Sequence, residues 1–72
     1  RRNSRANELL AYIAGNRRDF DGSFQLLKKA AKEKDCSAEA FYYLGTLYIK
    51  KNEAAAAITV IKRSLEIGGP FF

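Results

Sequence analysis

Few residues of this chain could carry out chemistry. The sequence has no histidine, so the commonest general base and a frequent metal ligand are missing. Acidic residues are scattered, there is no glycine-rich phosphate loop, and serine and cysteine lack a histidine base. The single cysteine, Cys36, cannot form an internal disulfide, and we interpret it as a small loop residue rather than a reactive thiol. We therefore expect no enzymatic activity, no metal and no cofactor.

Length and composition limit the class of protein. The 72 residues allow one small domain, and 47% apolar with 29% charged residues is typical of a globular chain. A chain of this size buries only about 60% of its unfolded surface, and the absence of Met also favours a fragment of a longer protein. With no apolar run near ~18 residues, we expect no membrane span. With no positively charged leader followed by an apolar core, we expect no signal peptide within these 72 residues. One unpaired cysteine favours a reducing compartment, cytoplasmic or otherwise intracellular.

Apolar residues recur at helical spacing in four segments, and no segment alternates with the period of a strand. The apolar positions of the four segments are, in order, Ala6, Leu10, Ile13 and Ala14; Phe20, Phe24, Leu27 and Ala31; Phe41, Leu44, Gly45 and Tyr48; and Ala54, Ala57, Ile58, Ile61 and Leu65. The sequence therefore predicts an all-α chain.

Capping residues set the predicted helix boundaries. The predicted N-caps are Ser4 or Asn3, Asp19 or Asp21, Ser37, and Asn52. Gly68 and Gly69 are predicted to end the fourth helix with a left-handed cap, and the ring of Pro70 cannot continue it. Phe71 and Phe72 are expected either to fold back on the last hairpin or to begin a third unit.

The sequence repeats after 34 residues. Sliding it by that distance places residues of like size and charge on one another, for example Leu10 on Leu44, Asp19 on Glu53, and Leu27 on Ile61. We interpret residues 1–72 as a single domain, or a fragment of a longer array, made of two helical hairpins. Repeat one covers about residues 4–37, repeat two about 38–70, and residues 71–72 form a tail.

Gly45 lies in the middle of the third apolar segment, whose residues 41–48 read FYYLGTLY. Glycine in a helix is less favourable than alanine by about 1 kcal/mol, so we expect a compensating contact. Without a Cβ at Gly45, the fourth helix can approach closely, and it begins with four alanines at 54–57. We therefore predict an antiparallel hairpin that crosses at small residues.

These residues resemble the tetratricopeptide repeat family. The matching positions of repeat two are Phe41, Leu44, Gly45, Tyr48, Ala57 and Ile61. Ser64 stands where a small residue is usual, and Pro70 comes one position late. Repeat one is degenerate. Asn7, Ala11 and Ala14 replace the aromatic, the glycine and the tyrosine, while Leu10, Phe20, Ser23, Leu27 and Ala30 keep the pattern. The resemblance implies an α-α superhelix, a right-handed solenoid of two antiparallel hairpins.

In that family, the first helices of the hairpins line a groove that receives a peptide or helix of another protein. The positions that the resemblance places in the groove are Arg5, Glu8, Tyr12, Gly15, Asn16, Glu39, Tyr42, Thr46, Ile49 and Lys50. Tyr12 and Tyr42 are amphipathic rings of the kind that anchor interfaces, although they could instead pack between repeats. The implied function is that of a protein-protein interaction scaffold or adaptor.

One use of the family is a clamp of Lys, Asn and Arg side chains that binds the C-terminal carboxylate of heat-shock chaperones. In one register the clamp positions of this chain hold Glu8, Tyr12 and Tyr43, and in the other they hold Leu9, Glu39 and Tyr43. Neither register supplies cations, so we predict no binding of chaperone tails.

The net charge of +5 raises nucleic-acid binding as an alternative. Most of the basic residues lie in last turns of helices, where cations complement the helix dipole, or on second helices, which form the outer face in the family. We therefore disfavour nucleic acid as the partner. A further alternative is homo-oligomerisation through uncapped repeat ends, because repeat arrays usually need at least three units.

Overall fold

The computed structural model describes residues 4–68, which form four α-helices and no strand. Helix α1 spans Arg5–Asn16, α2 spans Phe20–Ala30, α3 spans Ala38–Lys50 and α4 spans Ala54–Ile67. The prediction of an all-α chain is confirmed. Three sequence predictions lie outside the described residues, namely the cap at Asn3, the stop at Gly69 and Pro70, and the tail of Phe71 and Phe72.

The helices form two compact units that divide between Cys36 and Ser37. In the first unit, here called hairpin one, α1 packs against α2. In the second, hairpin two, α3 packs against α4. Each pair is joined by three residues, which is a connection typical of antiparallel helical hairpins.

The two connecting turns have the same backbone geometry. Arg18 and Asn52, 34 residues apart, both adopt left-handed conformations, with φ of 65° and 62°. The next residue donates its N–H back into the preceding helix, from Asp19 to the Ala14 carbonyl at 2.8 Å and from Glu53 to that of Tyr48 at 2.9 Å. The prediction that Asn52 caps α4 is wrong, because Asn52 supplies the left-handed turn and Glu53 occupies the N-cap position.

Two of the other predicted caps are confirmed. The Asp19 carboxylate accepts from the Gly22 N–H at 3.0 Å, and the Ser37 hydroxyl oxygen accepts from the Ala40 N–H at 3.1 Å. Ser4 occupies the N-cap position of α1, but its side chain makes no capping hydrogen bond. Gly68 follows α4 with φ of 161°, which is extended backbone, so the predicted left-handed cap is wrong there.

Gly45 lies at the crossing of α3 and α4. A Cβ atom placed on Gly45 would collide with the side chain of Ile61, whose Cδ1 would be 2.8 Å away, and would lie 3.4 Å from Cγ2 of Val60. The predicted close contact is confirmed, but it involves the middle of α4, and Ala57 is the only buried member of the four-alanine start. The reason is geometric, since residues pair across an antiparallel hairpin at similar distances from the turn.

Hairpin one buries a different side of α1 from the predicted one. Leu10 and Ile13 are each 51% exposed, whereas their equivalents in α3, Leu44 and Leu47, are each 2% exposed. The buried residues of α1 are instead Glu8 and Ala11. The expectation that apolar spacing marks the buried side also fails for five other residues that are exposed, which are Ala6, Phe20, Ala54, Ile58 and Leu65. A neighbouring helix covers only a narrow strip of the helix that it packs against. Apolar side chains outside that strip therefore stay exposed to solvent.

Candidate protein-binding faces

Helix α3 carries a row of residues that were predicted to contact a partner. This row, here called the α3 stripe, consists of Glu39, Tyr42, Thr46, Ile49 and Lys50. Spacings of three and four residues keep its members on one side of the helix. Tyr42 is 39% exposed and Ile49 is 57% exposed. The stripe therefore presents an aromatic and an aliphatic side chain, seven residues apart, to solvent.

The centre of the α3 stripe is held by a local hydrogen bond. Thr46 is half-buried, and its hydroxyl donates to the carbonyl oxygen of Tyr43 at 2.7 Å. This bond satisfies the hydroxyl proton within the helix, so a partner does not have to satisfy it. Glu39 lies in the first turn of α3 and Lys50 in the last, so each charge complements the helix dipole.

Helix α1 carries a corresponding row, here called the α1 stripe, which differs from the predicted set. Tyr12 is half-buried and Asn16 is exposed. Arg5, also exposed, lies on the same side. Leu9, which the sequence analysis did not select, is exposed and lies between them. Leu9 is four residues after Arg5 and three before Tyr12, and this spacing could have identified it as a member of the same row. Gly15, the remaining predicted position of α1, is half-buried.

Glu8 does not belong to the α1 stripe, although a partner contact was predicted there. Its side chain is only 2% exposed, and its carboxylate accepts a hydrogen bond of 2.5 Å from the Ser4 hydroxyl. The backbone N–H of Ser4 in turn donates to both carboxylate oxygens of Asp35, at 3.0 and 3.2 Å. Glu8 is therefore part of the interior of hairpin one and is not available to a partner at the surface.

Cys36 lies at the end of hairpin one and is buried. Burial, followed by the negative charges of Glu8 and Asp35, raises the pKa of its thiol from 9.0 to about 12. At neutral pH the thiol is therefore protonated, which is the unreactive form of cysteine.

No family model, curated protein or solved structure matches this chain. The resemblance to the tetratricopeptide repeat therefore depends on the residues of the sequence alone. None of the helices within residues 4–68 combines the length and apolarity needed to cross a membrane. Within the same range, no group of three or more His, Cys, Asp or Glu residues could hold a metal ion.

Proposed function

We propose that this chain is a non-catalytic protein-interaction module that binds a peptide or helix of a partner protein along its first helices. The observation that carries the proposal is the solvent exposure of Tyr42 and Ile49 on one side of α3. Exposed apolar side chains are ordinary when isolated, but an aromatic and an aliphatic side chain on the same side of one helix are typical of interface anchors. The right-handed superhelix implied by the family resemblance is part of this proposal.

The spacing of the anchors suggests the form of the partner. Tyr42 and Ile49 are seven residues apart, or two helical turns, so about 10 Å separates them along the axis. An amphipathic helix with apolar residues at i, i+3 or i+4, and i+7 matches this length.

Two of the basic residues make side-chain contacts within their own helices. The Lys28 ammonium lies 5.2 Å from the centre of the Phe24 ring, and Arg63 pairs with Glu66 at 3.3 Å. The first contact lies within α2 and the second within α4. They give part of the positive charge a local role, so the net charge of +5 alone does not favour phosphate binding.

A non-catalytic role is favoured by the state of Cys36. A buried thiol with a pKa of about 12 is a poor nucleophile, and the sequence offers no histidine to deprotonate it. A reduced thiol of this kind fits a reducing compartment, and we extend the proposal to a cytoplasmic or other intracellular location.

The experiment is a selection of helical peptides from a displayed library against the 72-residue chain, followed by affinity measurements on variants. Tyr42→Ala and Ile49→Ala are each expected to weaken binding about tenfold or more, because each removes an interface anchor. Tyr12→Ala is expected to have a smaller effect, since Tyr12 is half-buried.

Ile67→Ala is the matched control, because Ile67 is an exposed aliphatic residue of α4 outside both stripes. It should leave affinity unchanged. If the selected peptides bound the Tyr42 and Ile49 variants as tightly as the unaltered chain, the α3 stripe would not be the binding surface.

A further inference from the structure

The sequence directly before helix α1 has a basic pattern that the proposed binding function does not use. Arg1 and Arg2 stand three and two residues before Ser4. Cations that precede a helix oppose its dipole, so the stability of α1 does not account for them. Protein kinases that select basic substrates recognise arginines at these two positions, through charge-assisted hydrogen bonds from the guanidinium groups. The spacing therefore makes Ser4 a candidate phosphorylation site.

No other serine or threonine of the sequence has this pattern. The residues three and two positions before each of the other serines are Phe20 and Asp21 for Ser23, Lys34 and Asp35 for Ser37, and Ile61 and Lys62 for Ser64. Thr46 and Thr59 have only uncharged residues at those positions. A kinase that recognises two arginines would therefore select Ser4.

Ser4 also ties the start of α1 to the end of hairpin one. Its side chain is 1% exposed, and its hydroxyl donates to the Glu8 carboxylate at 2.5 Å. Its backbone N–H donates to the two carboxylate oxygens of Asp35, at 3.0 and 3.2 Å. These hydrogen bonds, here called the Ser4 latch, join α1 to a residue that follows α2 and lies 31 positions further along the chain.

We propose that Ser4 is the phosphorylation site of an arginine-directed protein kinase, and that the phosphate holds the start of α1 open. The kinase transfers the γ-phosphoryl group of ATP to Oγ of Ser4. The bond from Oγ to phosphorus forms, the bond from the γ-phosphorus to the bridging oxygen breaks, and ADP leaves. The hydroxyl proton passes to the catalytic base of the kinase, so Glu8 loses its hydrogen-bond donor.

The surroundings of Ser4 determine the sign of the effect. A phosphate at an exposed helix N-terminus stabilises the helix, whereas a phosphate beside acidic side chains is destabilising. Ser4 is buried and contacts two carboxyl groups, those of Glu8 and Asp35. Phosphoserine brings a charge of about −1.5 to −2 at pH 7 into this position. Phosphorylation therefore opposes closure of the Ser4 latch.

Access to Ser4 requires the latch to open, because a kinase binds the modified serine in an accessible, extended segment. Arg5 and Ala6, the next two residues, are exposed, so opening the first turn of α1 uncovers little apolar surface there. The kinase acts on the open fraction of the molecules, and a weaker latch raises that fraction. Loss of a latch bond should therefore speed the modification.

The site is tested by incubating the 72-residue chain with ATP, Mg²⁺ and the catalytic domain of an arginine-directed serine/threonine kinase. Mass spectrometry of proteolytic fragments is expected to find one phosphate, on Ser4, and none in Ser4→Ala. Arg1→Ala combined with Arg2→Ala should lower kcat/KM at least about tenfold, because the recognition bonds are lost. A chain that remains unmodified, or that carries its phosphate elsewhere, would overturn the proposal.

The latch is tested by the rate of the same reaction. Asp35→Ala should raise kcat/KM about tenfold, because it removes the charged acceptor of the Ser4 N–H. Asp21→Ala is the matched control, since Asp21 is also exposed but lies in the first turn of α2, at the opposite end of hairpin one. It should leave the rate unchanged. Equal rates for the two variants would show that the latch does not limit access to Ser4.

The effect of the phosphate is measured by thermal unfolding of the modified and unmodified chains. Phosphorylation should lower the melting temperature by several degrees. In a chain with Glu8→Gln and Asp35→Asn, which keeps the hydrogen-bond acceptors but removes their charge, the decrease should be less than half as large. A rise in melting temperature on phosphorylation would contradict the proposal, and so would an equal decrease in both chains.

This modification acts on hairpin one and does not depend on peptide binding by the α3 stripe, which lies in hairpin two. Failure of one proposal therefore leaves the other standing.

Discussion

The two hairpins share a backbone turn but bury different side chains on their first helices. Hairpin two buries Phe41, Leu44 and Leu47 and has glycine at residue 45, where the side chain of Ile61 fits. Hairpin one has Ala11 at the equivalent position and buries the polar pair Ser4 and Glu8. In both hairpins the connecting turn contains a residue in the left-handed conformation, Arg18 in the first and Asn52 in the second.

The difference shows that the same helical hairpin can form with either apolar or polar side chains buried along its first helix. In hairpin one, the carboxylate of Glu8 is satisfied by Ser4, whose own N–H is satisfied by Asp35. In hairpin two, the buried hydroxyl of Ser64 instead donates to the Ala38 carbonyl at 2.7 Å and links the end of α4 to the start of α3. The buried side chains of Glu8 and Ser64 are tolerated because each has a hydrogen-bond partner.

The largest expected effect separates two leucines at equivalent repeat positions. Leu44→Ala should lower the free energy of unfolding by about 2–5 kcal/mol, because it leaves a cavity at a buried position. Leu10→Ala, at a half-exposed position, should cost under about 1 kcal/mol. Urea denaturation of both variants measures the difference. Equal losses would contradict the difference in burial between the two hairpins.

A pH effect is expected from the acidic end of hairpin one. The pKa of Cys36 rises from 9.0 to about 12 on folding, so the unfolded chain loses this proton first as pH rises. The associated stability is fully present below pH 9.0 and is lost between pH 9.0 and about 12. From about pH 8 to about pH 10.5, the unaltered chain should lose about 2 kcal/mol more than Cys36→Ala does.

Cys36→Ala is the control for this effect, because the two proteins differ only at residue 36. Chemical denaturation at each pH gives the two curves. Parallel curves would mean that the thiol of Cys36 ionises as easily in the folded chain as in the unfolded one.

The smallest expected effect has opposite signs in the two hairpins. Ser23 is fully buried, and its hydroxyl has no hydrogen-bond partner within residues 4–68, whereas hairpin two has Ala57 at this position. Ser23→Ala should therefore stabilise the chain by up to about 1 kcal/mol. Ser64→Ala should destabilise it by about 1 kcal/mol, because it removes the bond to Ala38. Thermal unfolding of the two variants should shift in opposite directions, and a loss of stability in Ser23→Ala would contradict this assignment.

The sequence predicted the features that depend on local chemistry. Asp19 and Ser37 cap helices because their side chains reach a nearby N–H, and Gly45 signals a close contact because a glycine inside a helix needs compensation. Residues that depend on a distant neighbour were predicted less well. The family resemblance placed Glu8 in the groove, but its hydrogen bond from Ser4 permits burial, and periodicity carries no information on such pairs.

Exposure of several apolar residues was also beyond the sequence. Leu10, Ile58 and Leu65 have the apolar spacing of core residues, yet whether they are covered depends on which helix packs beside them. Leu9 was missed because it is not among the groove positions that the family resemblance supplies. The positions of Tyr42 and Ile49 were predicted through the family resemblance, and their role in binding stays a prediction.

The most direct test of the close packing of α3 against α4 is the melting temperature of Gly45→Leu compared with that of Gly68→Leu. A side chain at Gly45 collides with Ile61, whereas a Cβ at Gly68 meets nothing within 4 Å. Gly45→Leu should lose about 1–3 kcal/mol or more through overpacking, with a melting temperature several degrees lower, and Gly68→Leu should melt like the unaltered chain. Equal melting temperatures for the two variants would contradict a close crossing of α3 and α4 at Gly45.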